Sequence, residues 1–152
     1  MATMQNEVVI DAAVEKIFAY LNKPSNLPLI WPSLFQIKNE IPLTNGGHSF
    51  RWTYKMGGLP FKGTGECIVM TPNLLLVYQI NGILNGEITF AFHSNPVRTK
   101  VNVFFKYQIP SSLLNLLSET IIVKMNEREG AIIMDNLRLA VEEVKMQKLK
   151  IT

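Results

Sequence analysis

The sequence contains few of the residues that build disulfide frameworks and metal sites. Its 152 residues include a single cysteine, Cys67, and two histidines, His48 and His93. One cysteine cannot form an internal disulfide, and the spacings His-x-His, Glu-x-x-His and Cys-x-x-Cys are absent. We therefore predict no metal site. The lone thiol is compatible with a reducing compartment.

Charge and long apolar runs are scarce as well. Charged residues make up 18% of the chain, below the roughly 25% of an average globular protein, whereas hydrophobic residues make up 47%. The net charge of +3 is small and most aromatic residues alternate with polar ones, so we do not expect a nucleic-acid partner. No run approaches the roughly 18 apolar residues of a membrane helix, and the N-terminus lacks the features of a secretion signal. We expect a soluble, cytoplasmic protein with one domain over residues 1–152.

Familiar catalytic motifs are also missing. Neither G-x-S-x-G nor a P-loop occurs, and Gly63-Thr64-Gly65 lacks the third glycine of a dinucleotide-binding loop. The only aspartates are Asp11 and Asp135. Strand alternation turns the candidate glutamates toward water; they are Glu40, Glu66 and Glu87. We predict no catalytic residue and no cofactor, and we favour a non-catalytic role while leaving enzymatic activity open.

Residues 8–33, VVIDAAVEKIFAYLNKPSNLPLIWPS, predict a strand and two short helices. A strand includes Val8 and Ile10, and Asp11 is placed to cap the helix that follows. The core face of that helix has spacings of three and four; it comprises Val14, Ile17, Phe18 and Leu21. Pro24 ends the helix, and Ser25 or Asn26 starts a second helical turn that continues to Trp31 and stops at Pro32.

From residue 34 to 109 the hydrophobic period is two, which predicts an antiparallel meander. The clearest strand is SFRWTYKM, with Phe50, Trp52, Tyr54 and Met56 on one face. Turn residues separate the strands at Asn45-Gly46-Gly47, Gly57-Gly58, Asn81-Gly82 and Asn85-Gly86. The inward faces are expected to include Phe35, Ile37 and Ile41, then Phe61, Gly63, Gly65, Cys67 and Val69, and finally Val101, Val103, Phe105, Tyr107 and Ile109.

After Pro110 the period becomes helical and stays so for more than 30 residues. The apolar stripe comprises Leu114, Leu117, Ile121, Ile122, Met125, Ile132, Ile133, Leu137, Ala140, Val141 and Val144. Glu127, Glu129, Glu142 and Glu143 lie largely opposite, and Lys145, Lys148 and Lys150 complement the dipole of the helix C-terminus. A helix of this length must pack along the sheet.

The order of these elements matches the helix-grip fold. The N-terminal stretch VVIDAAVEKIFAYLNKPSNLPLIWP resembles the opening of the START-like (SRPBCC) superfamily, in its polyketide cyclase/dehydrase and lipid transport group. The resemblance in element order covers the whole chain and implies an α+β fold, in which a curved antiparallel sheet of about seven strands wraps around a long C-terminal helix. It also implies that a hydrophobic molecule such as a lipid, polyketide or quinone is enclosed between sheet and helix.

Ten of the fourteen aromatic residues are expected on the helix side of the sheet, beside Gly63 and Gly65. One interpretation is an ordinary core in which bulky neighbours fill the space over the glycines. The other is that these glycines, together with Gly130-Ala131 on the long helix, leave room for a ligand within aromatic walls. Gly130 itself has three open explanations, which are close packing, a kink and ligand clearance.

The predicted ligand-binding residues follow from the second interpretation. They are Leu27, Ile30, Trp31, Phe50, Trp52, Tyr54, Gly65, Tyr78, Phe90, Phe92, Phe105, Tyr107, Met125 and Ile133. Leu27, Ile30 and Trp31 would gate the cavity or simply pack against the long helix. Tyr54, Tyr78 and Tyr107 are the polar anchors that such a wall offers.

Three functions remain open at this stage. The leading one is binding or transport of a hydrophobic small molecule. The second is a cyclase or dehydratase that acts in the same cavity. The third is a protein-interaction module that uses the exposed face of the long helix or Trp31. The ligand and the oligomeric state do not follow from the sequence.

Overall fold

The computed structural model describes residues 2–56 and 58–151, and it describes side chains up to residue 142. Gly57 and the side chains of Glu143, Val144, Lys145, Lys148 and Lys150, for which predictions were made above, lie outside the described part. The elements are β1 (Ala2–Ile10), α1 (Val14–Leu21), a 3-10 turn (Pro24–Asn26), α2 (Leu27–Ile30), β2 (Leu34–Pro42), β3 (His48–Met56), β4 (Leu59–Thr71), β5 (Leu75–Gly82), β6 (Asn85–Ser94), β7 (Thr99–Gln108), α3 (Ser111–Leu114) and α4 (Glu119–Ile151).

All seven strands form one antiparallel sheet in the order β1-β7-β6-β5-β4-β3-β2. Strands β2 to β7 are a meander, as predicted, and β1 pairs with β7 from Ala2↔Tyr107 to Ile10↔Thr99. The period-two pattern appears directly in the burial of β3 from Phe50 onward and of β7, because every second side chain there is buried. With short helices after the first strand and a long C-terminal helix, the predicted helix-grip, α+β fold is confirmed.

Helix α4 packs on β1, and Gly130 lies at the contact. A Cβ atom at position 130 would collide with the amide nitrogen of Asn6 and lie 3.0 Å from Met4 Sδ. Of the three explanations for Gly130, close packing therefore applies. No helix among the described residues has the length and apolar composition needed to cross a membrane.

The predicted apolar stripe of the C-terminal region is only partly buried. Ile122, Ile133, Leu137 and Val141 are buried on the inner face of α4, as expected. Several other members of the stripe are more than 40% exposed; they are Leu114, Ile121, Met125 and Ile132. The helical pattern is also interrupted, because α3 ends at Leu114 and α4 begins at Glu119. The apolar stripe predicted for this region therefore does not form a single buried face.

Irregular strand pairing overturns the inward direction predicted for three side chains. Strand β2 shifts register against β3 between Leu34 and Gln36 and again between Lys38 and Ile41, so Phe35 is 62% and Ile41 57% exposed. Strand β4 shifts register against β5 between Cys67 and Val69, and Val69 is exposed whereas Met70 packs against the core. Each shift inserts a residue and reverses the alternation beyond it.

The predicted cap of α1 was also wrong. The helix begins at Val14, and its N-cap residue is Ala13 instead of Asp11; Ala13 makes no side-chain capping hydrogen bond. The backbone N–H of Asp11 instead donates to Glu142 Oε1 of α4 at 3.4 Å. The backbone of Asp11 thus connects the end of β1 to the long helix.

Candidate ligand-binding site

A small cavity of about 30 Å³ lies between α2 and the concave face of the sheet. Its walls come from the helical segment near Trp31 and from strands β2, β3, β5, β6 and β7. The lining residues are Leu27, Trp31, Leu34, Phe50, Trp52, Tyr54, Tyr78, Ile80, Leu84, Ile88 and Phe105. In the part of the chain that the structure describes, no residue of α4 lines this cavity. The cavity therefore lies between α2 and the sheet, whereas the sequence predicted a cavity between the long helix and the sheet.

Seven of the fourteen predicted binding residues meet at this cavity; they are Leu27, Trp31, Phe50, Trp52, Tyr54, Tyr78 and Phe105. Six others are buried but do not line it; they are Ile30, Gly65, Phe90, Phe92, Tyr107 and Ile133. Met125 does not face the interior, because it lies on the outer side of α4 and is 43% exposed.

Sequence reasoning missed four aliphatic members of the wall, which are Leu34, Ile80, Leu84 and Ile88. The prediction considered aromatic residues and glycines and did not weigh aliphatic residues at the same inward positions. The period-two pattern of EITFAFHS could have identified Ile88, because it shares a face with Phe90 and Phe92.

The glycines of β4 do not enlarge the cavity. A Cβ atom at Gly65 would lie 2.5 Å from Phe50 Cζ, and one at Gly63 would lie 2.8 Å from Trp52 Cε2. The rings of Phe50 and Trp52 already occupy that space. Of the two interpretations of these glycines, the ordinary close-packed core is the correct one.

Trp31 joins the helical segment to the aromatic wall. Its ring makes edge-to-face contacts with Phe105 at 5.6 Å and with Tyr54 at 6.2 Å between ring centroids. Its indole nitrogen donates a hydrogen bond to the Tyr54 hydroxyl at 3.3 Å. Trp31 is 2% exposed, so the predicted use of Trp31 as a protein-interaction surface is wrong.

Most polar atoms of the lining residues have partners elsewhere in the protein. Trp52 Nε1 donates to the carbonyl oxygen of Thr64, and the Tyr78 hydroxyl donates to the carbonyl oxygen of Leu21, both at 2.8 Å. Tyr107 is different: its side chain is buried and its hydroxyl has no hydrogen-bond partner among the described residues. Tyr107 lies beside the wall, with its ring centroid 4.7 Å from that of Phe105.

Residues 27–33, here called the lid, are tied to α4 by polar contacts. The backbone N–H of Ser33 donates to Glu129 Oε1 at 3.1 Å, and the Ser33 hydroxyl donates to Glu129 Oε2. The side-chain amide of Asn136 donates to the carbonyl oxygen of Ile30 at 3.1 Å. The lid therefore depends on two residues of α4 for its position above the cavity.

The tyrosine hydroxyls near the cavity stay protonated at neutral pH. Burial, and then the Glu129 carboxylate, raise the pKa of Tyr54. Burial, followed by Glu129 and Glu119, raises the pKa of Tyr107 to about 12. Burial also raises the pKa of Tyr78. These hydroxyls can donate hydrogen bonds, but none is poised as a base near pH 7.

The described part of the chain has few side chains suited to metal binding or thiol chemistry. No group of three or more histidine, cysteine, aspartate and glutamate side chains is arranged to hold a metal ion there. His93 is exposed on β6 and His48 is half-buried at the start of β3, so neither faces the cavity. Cys67 is buried, and burial raises the pKa of its thiol, which disfavours the reactive thiolate.

The model of the family "Polyketide cyclase / dehydrase and lipid transport" matches residues 1–142. The chain belongs to this family. The match to the polyketide cyclase/dehydrase and lipid transport family spans the sheet, the lid and most of α4. The predicted START-like membership is confirmed. No curated protein sequence matches the chain.

Solved structures share the fold of this family member at low sequence identity. A START superfamily protein from Mycobacterium smegmatis is 14% identical with a TM-score of 0.75, over 95% of this chain and 99% of that chain. The Zhui aromatase/cyclase from Streptomyces sp. R1128 is 13% identical with a TM-score of 0.72, over 92% and 93%. The Aha1 dimer from Colwellia psychrerythraea is 18% identical with a TM-score of 0.64, over 93% and 97%. At these identities the likeness concerns the fold.

Proposed function

We propose that this protein binds an uncharged, largely apolar small molecule between the lid and the concave face of the sheet. The observation that carries the proposal is the cavity wall itself, in which all eleven described lining residues are aliphatic or aromatic. Such a wall, with a few polar groups nearby, is the usual composition of a small-molecule site. Membership of a polyketide cyclase/dehydrase and lipid transport family supports the same class of ligand.

The charges around the cavity favour a neutral ligand over an acid. No lysine or arginine is among the described lining residues. Besides burial, the Glu129 carboxylate helps to raise the pKa of both Tyr54 and Tyr107, and Glu119 also raises that of Tyr107, so the field at these hydroxyls is negative. A ligand carboxylate would lose its hydration and meet negative charge without a cation in compensation. A ketone, alcohol, quinone or phenol avoids this penalty.

The size of the cavity requires the lid to move when such a ligand enters. A cavity of about 30 Å³ has room for roughly two water molecules, far less than a lipid or polyketide needs. Leu27 and Trp31 are the lining residues that belong to the lid. We propose that displacement of these two side chains enlarges the cavity, while the strands that form its other walls stay in place.

The proposal is tested with a matched pair of fluorescent probes, a long-chain alcohol and the fatty acid of the same length. We expect saturable binding of the alcohol and weaker binding of the acid. Ile88→Phe should weaken alcohol binding at least about tenfold by filling the cavity, an effect of about 1.4 kcal/mol. Val97→Phe, at a position that is 67% exposed, is the matched control. The proposal would be contradicted if neither probe bound and if native mass spectra showed no increase in protein mass after either probe was added.

An enzymatic role in the same site is the second candidate. The unpartnered Tyr107 hydroxyl favours it, because a protonated donor beside an apolar cavity can polarise a carbonyl group of a substrate. The Tyr78 hydroxyl is already bound to Leu21, which leaves Tyr54 and Tyr107 as the better candidates. Cyclisation of a poly-β-carbonyl compound should then be lost in Tyr107→Phe while binding persists. Equal turnover in Tyr54→Phe, Tyr107→Phe and the parent protein would rule this role out.

A further inference from the structure

Helix α4 carries a second row of apolar side chains that the fold leaves uncovered. Ile121, Met125, Ile132 and Leu139 are between 41% and 56% exposed. At about 100° per residue they lie on the side of α4 opposite the buried face that contains Ile133. A helix that packs on a sheet normally presents polar residues on its outer side. The outer side of α4 therefore has the composition of a contact surface.

The spacing of this row is that of a helix that pairs with another helix. Exposed residues follow one another at intervals of four, three, four, three and four; they are Ile121, Met125, Arg128, Ile132, Asp135 and Leu139. We call these six residues the outer stripe. Alternating intervals of three and four make the heptad pattern of coiled-coil seams. The outer stripe spans 19 residues, or about 27 Å of helix, all within the part of α4 whose side chains are described.

We propose that the outer stripe binds the outer stripe of a second copy of this chain, with the two α4 helices antiparallel. In the register that places the two-fold axis midway along the outer stripe, Ile121 lies opposite Leu139 of the second copy. Arg128 then lies opposite Ile132 of the second copy, and Met125 opposite its Asp135. Each contact occurs twice, as in any symmetric dimer. Apolar pairs thus occupy both ends of the contact.

The two charged residues of the outer stripe select the antiparallel orientation. In a parallel pair, Arg128 would face Arg128 and Asp135 would face Asp135, which is repulsive at both positions. In the antiparallel pair, Arg128 lies three residues, about 4.5 Å along the axis, from Asp135 of the second copy. That separation is within the reach of an arginine side chain. The existing 3.7 Å ion pair between Asp135 and Arg138 is exposed on both sides and does not prevent the new contact.

A groove beside the outer stripe offers space for the opposing side chains. It has a volume of about 410 Å³ and runs between Pro32 and α4, where Ile121, Met125 and Ile132 form its apolar floor. Leu139 of the second copy lies opposite Ile121 in the proposed register and would enter this groove. Leu139 is itself 56% exposed and free to project from its own helix.

Sedimentation equilibrium of the full chain over about 5 to 500 µM tests the proposal, a range that suits contacts of modest area. We expect a reversible dimer, and Ile132→Glu should raise its dissociation constant at least about tenfold. Ile83→Glu is the matched control, because Ile83 is 60% exposed in the turn between β5 and β6. A parent chain that stays monomeric over this range, or an equal effect of Ile83→Glu, would overturn the proposal.

A charge exchange distinguishes the proposed antiparallel contact from nonspecific association. Arg128→Glu and Asp135→Arg should each weaken the dimer, because each places like charges near one another across the two-fold axis. The double variant restores opposite charges and should dimerise as the parent does. A double variant as weak as the single ones would refute the register, and unchanged thermal unfolding would show that all three variants fold.

Discussion

Trp52 lies directly opposite Gly63 in the pairing of β3 with β4, and its indole ring covers the glycine. Phe50 covers Gly65 in the same way, two residues along the two strands. Each aromatic ring takes the place of the missing side chain, so the concave face stays closely packed. Glycine is required at positions 63 and 65 because a ring of the neighbouring strand approaches the backbone there, and not because the chain turns.

Alanine at either glycine should destabilise the protein. Gly65→Ala places a methyl group 2.5 Å from Phe50 Cζ and is expected to lower the free energy of unfolding by about 1–3 kcal/mol. Gly63→Ala should lower it further, because the new methyl group also collides with the backbone carbonyl oxygen of Asn81. Urea denaturation measures both effects.

A second substitution that shrinks the facing ring should restore stability in only one of these two alanine variants. Phe50→Leu removes ring atoms above residue 65 and should recover part of the stability lost in Gly65→Ala. Trp52→Phe should not recover that lost in Gly63→Ala, because the Asn81 carbonyl group cannot rotate away. Rescue to the same extent at both positions would show that the backbone contact does not matter.

The effect of Gly130→Ala on stability should depend on the residue at position 6, and its sign should reverse when Asn6 is replaced. In a solvated helix this substitution stabilises by about 1 kcal/mol, but here the methyl group would collide with the Asn6 side chain. We expect destabilisation in the parent chain and stabilisation, relative to the single variant Asn6→Ala, in the double variant. A double-mutant cycle of thermal unfolding measures the coupling. Additive effects would contradict the proposed contact.

Loss of the Glu129 carboxylate should loosen the lid without unfolding the sheet. Glu129→Ala removes both contacts to Ser33, and hydrogen bonds to a charged group contribute about 1.5–3 kcal/mol. The exchange of the Ser33 amide proton should therefore accelerate about 10- to 100-fold, which hydrogen exchange with NMR detection measures. Glu127→Ala, at an exposed position on the same helix, is the control. Faster exchange throughout β3 and β7 would indicate global destabilisation instead.

The buried tyrosines should make the protein sensitive to alkaline pH. Folding raises the pKa of Tyr107 from 10 to about 12, so the unfolded chain releases this proton first. The stabilising effect is complete below about pH 10 and is lost as pH rises through about 12. The loss reaches about 1.4 kcal/mol per pH unit for each such tyrosine.

Tyr107→Phe tests this pH dependence with little disturbance at pH 7. The Tyr107 hydroxyl has no hydrogen-bond partner among the described residues, so its removal should leave the stability at pH 7 unchanged or slightly higher. Between pH 10 and 12 the variant should lose stability less steeply than the parent chain. Parallel curves, recorded by urea denaturation across this range, would show that Tyr107 does not contribute.

Sequence periodicity predicted the fold well where strand pairing is regular. Strands β3 and β7 alternate without interruption, so Phe50, Trp52, Val101 and Val103 are buried as expected. In β2 and β4 a register shift reverses the alternation, and Phe35 and Val69 are exposed for that reason. Such shifts depend on how two strands meet, and the hydrophobic pattern of a single strand does not contain that information.

The site was harder to predict than the fold. Inward-facing residues could be identified from period two, but which of them border a gap depends on where large rings come to rest. Phe50 and Trp52 turn over the glycines and fill the space that their absent side chains leave. Met125 was assigned to the interior because α4 is apolar on two sides, and a single stripe search merges the two. Both errors concern contacts between elements and not the elements themselves.

The irregular pairing of β2 affects how the protein behaves at high concentration. The sheet has two edges, β1 and β2, and α4 packs on β1. Strand β2 has two register shifts and ends at Pro42, so it does not present an unbroken ladder of backbone donors and acceptors. Edges of this kind resist the addition of a strand from a neighbouring molecule. Growth of the native sheet into fibrils is thereby disfavoured at the β2 edge.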